Sequence, residues 1–293
     1  MSERVPVALT IAGSDSGGGA GIEMDLKVFA ALGVFGACAI TALTAQNTTG
    51  VLGAWEVPAE FVTAQIAAVV GDLPVAAAKT GMLSSEGVVR AAAAMMKARG
   101  FPYLVADPVV VAKDGSHLLT PGGLAALKED LLPVATLITP NLLEAEALTG
   151  LRVTSEEEAR RAAENLRAAG SSWVLIKGGH GRGETVTDLL LGPDGAQAFT
   201  SPRLPGGPYH GTGCALSAAI TAHLARGLSV PEAVAAARDF VHQLIRDSVV
   251  LGRGARLLHP RASCPSLDPR PETPDPIIPG ASSCQSPPPS SSS

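Results

Sequence analysis

Five short segments carry glycines, side chains that bear or bind charge, or both. His210-Gly211-Thr212-Gly213-Cys214 precedes an apolar helical run, Ala215 to Leu224. Glycines at a helix start leave backbone N–H groups free to converge on an anion, and the helix dipole adds to the attraction, which is a phosphate-binding geometry. The same location lowers the pKa of Cys214 from a free value of about 8.5, making it a base or nucleophile near neutral pH. The alternative is a buried structural cysteine. Asp107-Pro108 and Asn141-Leu142-Leu143-Glu144 supply two carboxylates. At adjacent strand ends these can hold Mg²⁺ through water, because that ion keeps much of its hydration shell and takes further oxygens from phosphates. Taken singly, Asp107 also reads as a turn residue before proline, and Glu144 as a first-turn helix carboxylate. Lys177-Gly178-Gly179-His180 offers a point charge to a phosphate, or is a lysine at a surface turn. The fifth segment, Gly13 to Ile22, holds Gly13, Gly17, Gly18, Gly19 and Gly21 and permits close backbone approach to a ligand. It matches neither GxGxxG nor GxxxxGK[ST], which disfavours a dinucleotide fold and a Walker-type site, and alone it reads equally as a tight strand-to-helix turn.

All five segments follow stretches that read as strands. The strand candidates are Val7–Ile11, Cys38–Thr44, Ala76–Lys79, Tyr103–Ala106, Thr136–Ile138, Trp173–Ile176 and Thr185–Leu191. They alternate with helical patterns, the signature of βαβ units and an α/β fold with a mostly parallel sheet. Val62, Ile66, Val69 and Val70, and again Val88, Ala92, Met95 and Met96, fall at helical spacing and predict core faces. A helix is expected over Asp25–Leu32. Ser155 with Glu158 and Ser229 with Glu232 read as capping boxes, and Gly170 and Gly227 as helix-ending glycines. In an open parallel sheet this arrangement puts the charged segments on one edge, where such folds bind ligands.

Composition narrows the function classes. The net charge of -5, without a Lys/Arg run, gives no footprint for a phosphate backbone, so nucleic acid is not an expected partner. No apolar stretch is long enough to cross a bilayer and the N-terminus lacks signal-peptide features, which predicts a cytoplasmic protein. The four cysteines show neither zinc nor disulfide-framework spacing. From about residue 260 to Ser293 the chain is crowded with Pro and Ser and reads as a disordered tail after a domain over 1–259.

Across residues 5 to 250 the order and spacing of several runs are similar to a known family. Ala12 to Ile22, Thr44-Ala45-Gln46-Asn47-Thr48, Lys79-Thr80-Gly81-Met82-Leu83, Thr139-Pro140-Asn141 with Glu144, Lys177 to His180 and His210 to Cys214 resemble the bacterial hydroxymethylpyrimidine/phosphomethylpyrimidine kinases of thiamine biosynthesis. The resemblance implies a ribokinase-like α/β/α fold, a homodimer, and two successive phosphoryl transfers from ATP with Mg²⁺. It implies that Gln46 reads the aminopyrimidine edge, with Gly13, Asp25, Met82 and Val109 lining the pocket. A carboxamide suits that task, since its oxygen and N–H2 can pair with an exocyclic amine and a ring nitrogen. Cys214 takes the position where sugar kinases of the superfamily carry an aspartate base, with Gly211, Thr212 and Gly213 stabilising charge. Asp107 and Glu144 arrange the metal, and Lys177 and Asn141 meet the ATP phosphates.

The chain departs from the family pattern at Ala112-Lys113-Asp114-Gly115-Ser116-His117, at Glu23-Met24, at Pro208-Tyr209 and around Gly252-Arg253-Gly254. These departures leave the adenine and ribose contacts unassigned. Two other functions stay open: a pyridoxal kinase, against which Gln46 and Met82 argue, and a non-catalytic vitamin-binding protein, against which Asp107, Glu144, Lys177 and Cys214 argue.

Overall fold

A computed structural model describes residues 5–110, 118–180 and 183–261. The loop Ala112 to His117 and nearly all of the tail expected from residue 260 lie outside the described residues. In chain order the elements are β1 (Val7–Ala12), α1 (Gly21–Ala31), β2 (Phe35–Ile40), β3 (Ala42–Asn47), β4 (Gly50–Glu56), α2 (Ala59–Asp72), β5 (Val75–Thr80), α3 (Glu86–Arg99), β6 (Leu104–Ala106) and α4 (Pro121–Ala126). There follow β7 (Leu137–Ile138), α5 (Leu142–Thr149), α6 (Glu156–Ala168), β8 (Trp173–Ile176), β9 (Thr185–Gly192), β10 (Gly195–Pro202), β11 (Tyr209–His210), α7 (Thr212–Ala225), α8 (Val230–Arg246) and β12 (Arg256–Leu257).

Eight strands form one sheet in the order β10-β9-β8-β7-β6-β5-β1-β2, parallel from β8 to β2 with β9 and β10 antiparallel at one edge. Both faces are covered, so every residue of β1 is buried and the strand reads as a continuous apolar run rather than an alternation. Leu9, Ile11, Ala78 and Ile138 pack with helices α2 to α6 in one core. Ala8, Ala77, Val105 and Leu137, one pleat away, pack with α1, α7 and α8 in the other. The result is the mostly parallel sheet expected from the alternation of elements, in the three-layer α/β/α arrangement that the family resemblance implies.

Both predicted capping boxes form, at Ser155 with Glu158 and at Ser229 with Glu232, and Gly170 and Gly227 have positive φ. Helix α1 begins at Gly21, four residues earlier than expected. The single strand expected over Cys38–Thr44 divides at Thr41. Its buried side chain donates to the Met82 carbonyl at 2.6 Å, and beyond it the chain leaves the sheet edge to pair β3 with β4 as a separate hairpin. Strands β4 and β10 were not expected; both are largely exposed, and β4 is interrupted by glycines while β10 carries few apolar residues.

Candidate active site

The parallel strands end at Ala12, Thr80, Ala106, Ile138 and Ile176, and the residues that follow them make the site. Chain connections leave β1 and β5 in opposite directions along the sheet, which opens a crevice between their carboxyl ends. Gly13 and Met82 face one another across it: a Cβ on Gly13 would lie 3.2 Å from the Met82 sulfur. Val109 sits after the next strand, its N–H donating to the Asp107 carbonyl at 2.9 Å.

Helix α7 starts where the sequence places an anion site. Its N-cap, Gly211, has φ 80° and no side chain caps the helix. A Cβ at Gly211 would fall 1.8 Å from the Gly19 carbonyl oxygen, so this turn interlocks with the glycine segment after β1 and admits only glycine. Thr212, Gly213 and Cys214 remain partly open to solvent. Directly against Gly213 lie the Lys177 ammonium and the Asp107 carboxylate, 3.5 and 3.8 Å from where its Cβ would be.

Asp107 and Lys177 form a nearly buried pair at 2.8 Å. Thr139 and Ser217 also donate to Asp107, at 3.2 and 3.1 Å. Burial alone would raise the Asp107 pKa, but Lys177 and Lys79 outweigh it and hold the carboxyl below its usual range. Burial pulls Lys177 down, and Asp107 and Glu144 more than reverse this, so the ammonium is held well above the lysine range. Glu144 is only 3.8 Å from Lys177, but its Oε2 accepts the Asn141 N–H at 2.7 Å in a capping box, while Asn141 Oδ1 accepts the Glu144 N–H at 3.0 Å. Glu144 is therefore the cap carboxylate of α5, and the same side chain stands beside Lys177. Its pKa rises to about 7, chiefly through burial and further through Asp107, against the pull of Lys177.

Two expectations are corrected. Cys214 does not have a lowered pKa: burial pushes the thiol up to about 11, Asp25 and Asp107 add to the rise, and neither Lys79 nor the Gly21 N–H on its sulfur compensates. The helix-start argument omitted the cost of burying a thiolate between carboxylates. Asp25 does not line an open pocket, because it is fully buried and its oxygens are taken by the Lys79 ammonium at 2.9 and 2.8 Å and by the Thr10 hydroxyl at 2.6 Å. Thr10 and Lys79 are register partners on β1 and β5, so the pleat points both at the face covered by α1 and α7. Burial pulls Lys79 down, but the Asp25, Cys214 and Asp107 charges hold its pKa above the usual value, while burial raises the Asp25 carboxyl against the pull of Lys79 and Thr10.

The glycine segment after β1 is a tight turn rather than a phosphate cradle. Its N–H groups at Gly17, Gly19 and Ala20 converge at 2.8, 3.0 and 2.8 Å on the carboxylate of Asp15 within the same turn. Burial would raise the Asp15 pKa, and the His210 side chain with these N–H groups brings it below the normal value. His210 Nε2 lies 2.9 Å from Asp15 and 3.1 Å from the Gln46 side-chain nitrogen, which ties Gln46 to the start of α7. Sequence reasoning did not single out Asp15, His210, Lys79, Thr139 or Ser217 individually. A lysine within the apolar run Val75–Thr80 was the available signal for Lys79.

This geometry agrees with the comparisons to known proteins. The family model described as phosphomethylpyrimidine kinase matches residues 15–259. A hydroxymethylpyrimidine/phosphomethylpyrimidine kinase of Streptomyces coelicolor is 49% identical over 85% of this chain and 92% of its own length. The crystal structure of phosphomethylpyrimidine kinase from Clostridium difficile is 39% identical, covers 83% of this chain and all of that one, and superposes with a TM-score of 0.74. An ADP complex of Bacillus subtilis pyridoxal kinase is 36% identical over 88% of this chain and 98% of its own, with a TM-score of 0.82. A family model matched from residue 15 to 259 and a relative 49% identical across most of both chains show that the chain belongs to the phosphomethylpyrimidine kinase family.

Proposed function

We propose that this protein uses ATP to phosphorylate the hydroxymethyl group of 4-amino-5-hydroxymethyl-2-methylpyrimidine, and then the resulting monophosphate to the diphosphate. The observation that carries the reading is the convergence of Thr212, Gly213 and Cys214 at the uncapped start of α7 with the Lys177–Asp107 pair. Gln46 reads the amine and ring nitrogen of the pyrimidine, Gly13, Met82 and Val109 line its pocket, and Asp25 supports the pocket from beneath. Lys177 and the side-chain N–H2 of Asn141, which the α5 cap does not use, meet the ATP phosphates.

Among the described residues no cluster of three or more His, Cys, Asp or Glu forms a metal cage. Two carboxylates flanking a lysine nevertheless suit Mg²⁺ carried on nucleotide phosphates, which needs few protein oxygens. Asp107 and Glu144 would hold it through water, and the ion would supply charge neutralisation on the phosphates.

The hydroxymethyl oxygen attacks the γ-phosphorus, the bond to the ADP oxygen breaks, and the N–H groups at the start of α7 take the charge on the transferring oxygens. The hydroxyl proton passes to the Cys214 sulfur. The free thiol holds its proton at neutral pH, so it first gives that proton to bulk water as the ligands bind and only then takes the hydroxyl proton; a loose transition state asks little of the base. The protein is read as a cytoplasmic homodimer, supported for the dimer by exposed Leu43 and Trp55, register partners on the β3–β4 hairpin.

An ADP-release assay with Mg-ATP and either pyrimidine, its monophosphate, pyridoxal or no acceptor tests this reading. Turnover with both pyrimidines, strongly reduced by Cys214→Ala, is expected. Turnover with pyridoxal alone would move the protein to the vitamin B6 kinases, and ligand binding without turnover would refute catalysis.

A further inference from the structure

The environment of Gln46 contains two hydrogen-bond conflicts with one solution. Asp15 keeps its negative charge because Gly17, Gly19 and Ala20 donate three backbone N–H groups to it. His210 Nε2, 2.9 Å from Asp15 Oδ2, must therefore carry a hydrogen and donate it. The same nitrogen lies 3.1 Å from the Gln46 amide nitrogen, which sets donor against donor. At the other end of the amide, Thr44 Oγ1 has one hydrogen but faces two acceptors, the Ser14 carbonyl at 2.8 Å and Gln46 Oε1 at 3.1 Å.

Turning the amide by half a revolution exchanges oxygen and nitrogen, which have nearly the same shape, and removes both conflicts. Thr44 then donates to Ser14 and accepts from the Gln46 N–H2. His210 Nε2–H is shared between Asp15 and the Gln46 oxygen. The backbone keeps this orientation in place. A register shift between Ala45 and Gln46 re-aims the side chain, and the Ser16 hydroxyl accepts the Gln46 N–H at 2.9 Å. His210 itself is wedged, because a Cβ on Gly19 would approach its Cδ2 to 2.5 Å, and its strand pairs with β12.

We propose that Asp15 and His210 act as positioning residues that lock the Gln46 amide with its oxygen toward His210 and its N–H2 toward Thr44, and so set which ring-edge pattern the pocket accepts. One oxygen lone pair and one N–H remain for the ligand. They match a donor beside an acceptor, as in the amine and ring nitrogen of a 4-aminopyrimidine. A 4-oxo ring presents the reverse order, a carbonyl beside a ring N–H, and would pair only with the amide turned the other way. The inference rests on Gln46 being the residue that reads the pyrimidine.

The test measures kcat and KM of the full chain, with saturating Mg-ATP, for the 4-amino hydroxymethylpyrimidine and its 4-oxo counterpart. The proteins are wild type, His210→Leu, His210→Gln, Thr44→Val and Gln46→Glu. Wild type should prefer the amine strongly. His210→Leu and Thr44→Val should each shrink that preference by roughly tenfold, mainly through KM for the amino substrate, because a freed amide accepts either pattern. His210→Gln, whose side-chain N–H2 reaches toward the Nε2 position, should recover most of it. Thr44→Val carries the test by itself should His210→Leu not fold. An unchanged preference in the folded His210 and Thr44 variants overturns the proposal, as does a loss confined to kcat or a wild type without preference. If Gln46→Glu leaves KM unchanged, the assignment of Gln46 falls as well; if it raises KM while the other variants keep the preference, only the positioning role falls.

Discussion

The pair formed by Lys79 and Asp25 allows stability and catalysis to be separated by experiment. Both side chains are fully buried, with two contacts of 2.9 and 2.8 Å between them and Thr10 donating at 2.6 Å. Lys79→Met leaves a buried carboxylate with one hydroxyl for company, and removing one partner of such a pair costs about 3–5 kcal/mol. Asp25→Leu should cost a similar amount by stranding the ammonium. The double variant places two apolar groups against one another and loses mainly the Thr10 acceptor, about 1–3 kcal/mol. The coupling between the sites is then about 3 kcal/mol or more, far above that of independent positions. Urea unfolding followed by circular dichroism gives all three values, provided the slopes stay equal. Lys79 is also the positive charge that draws the Cys214 thiol down against burial. The double variant should therefore fold well yet lose roughly tenfold or more in kcat, on the usual scale for a lost electrostatic contribution. Single variants costing under about 1 kcal/mol would refute the energetic argument, and a double variant with wild-type kcat would refute the functional one.

The rise of the Glu144 pKa from 4.5 to about 7 means the folded state binds a proton that the unfolded state has released, so this group lowers stability as pH climbs through that window. Glu144→Gln should remove roughly 3 kcal/mol of that decline, read from unfolding midpoints at pH 5 and pH 8; parallel pH profiles for the two proteins would contradict it. Gly211→Ala meets both an unfavourable φ of 80° and the Gly19 carbonyl at 1.8 Å, and should destabilise by more than about 2 kcal/mol and abolish turnover. A thermal melt within a degree of wild type would show that the turn relaxes. Trp55→Glu places a charge on an exposed apolar hairpin and should shift sedimentation from dimer to monomer; a wild type that sediments as a monomer would remove that interface.

The layered fold could be read from the sequence because parallel strands covered on both faces keep short β-branched runs, as in Val7–Ala12 and Trp173–Ile176. The same physics hid β4 and β10. An exposed strand at an edge or in a separate hairpin needs no apolar face, so Gly195–Pro202 carries the composition of a loop and takes its conformation from pairing with β9. Thr41 divided a predicted strand because its hydroxyl finds the Met82 carbonyl, a contact between residues 41 positions apart that no local pattern records.

The site was legible wherever a residue acts through its backbone or lies at a strand end, since spacing alone fixes those places. Gly211, Asp107 and Lys177 are of this kind. It was illegible where a side chain works through what covers it. Cys214 stands at a helix start, which by itself favours a thiolate, yet α1 and the end of β6 bring Asp25 and Asp107 close enough to add to the burial that raises it. Asp15 reads as one more polar residue in a glycine turn until the turn closes on it and its remaining oxygen meets a histidine 195 positions away. In both cases the deciding quantity is the balance between desolvation and a few charged partners. That balance is set by the packing of α1 and α7 on the sheet, so the chemistry of these residues follows from the tertiary fold and not from the motifs that contain them.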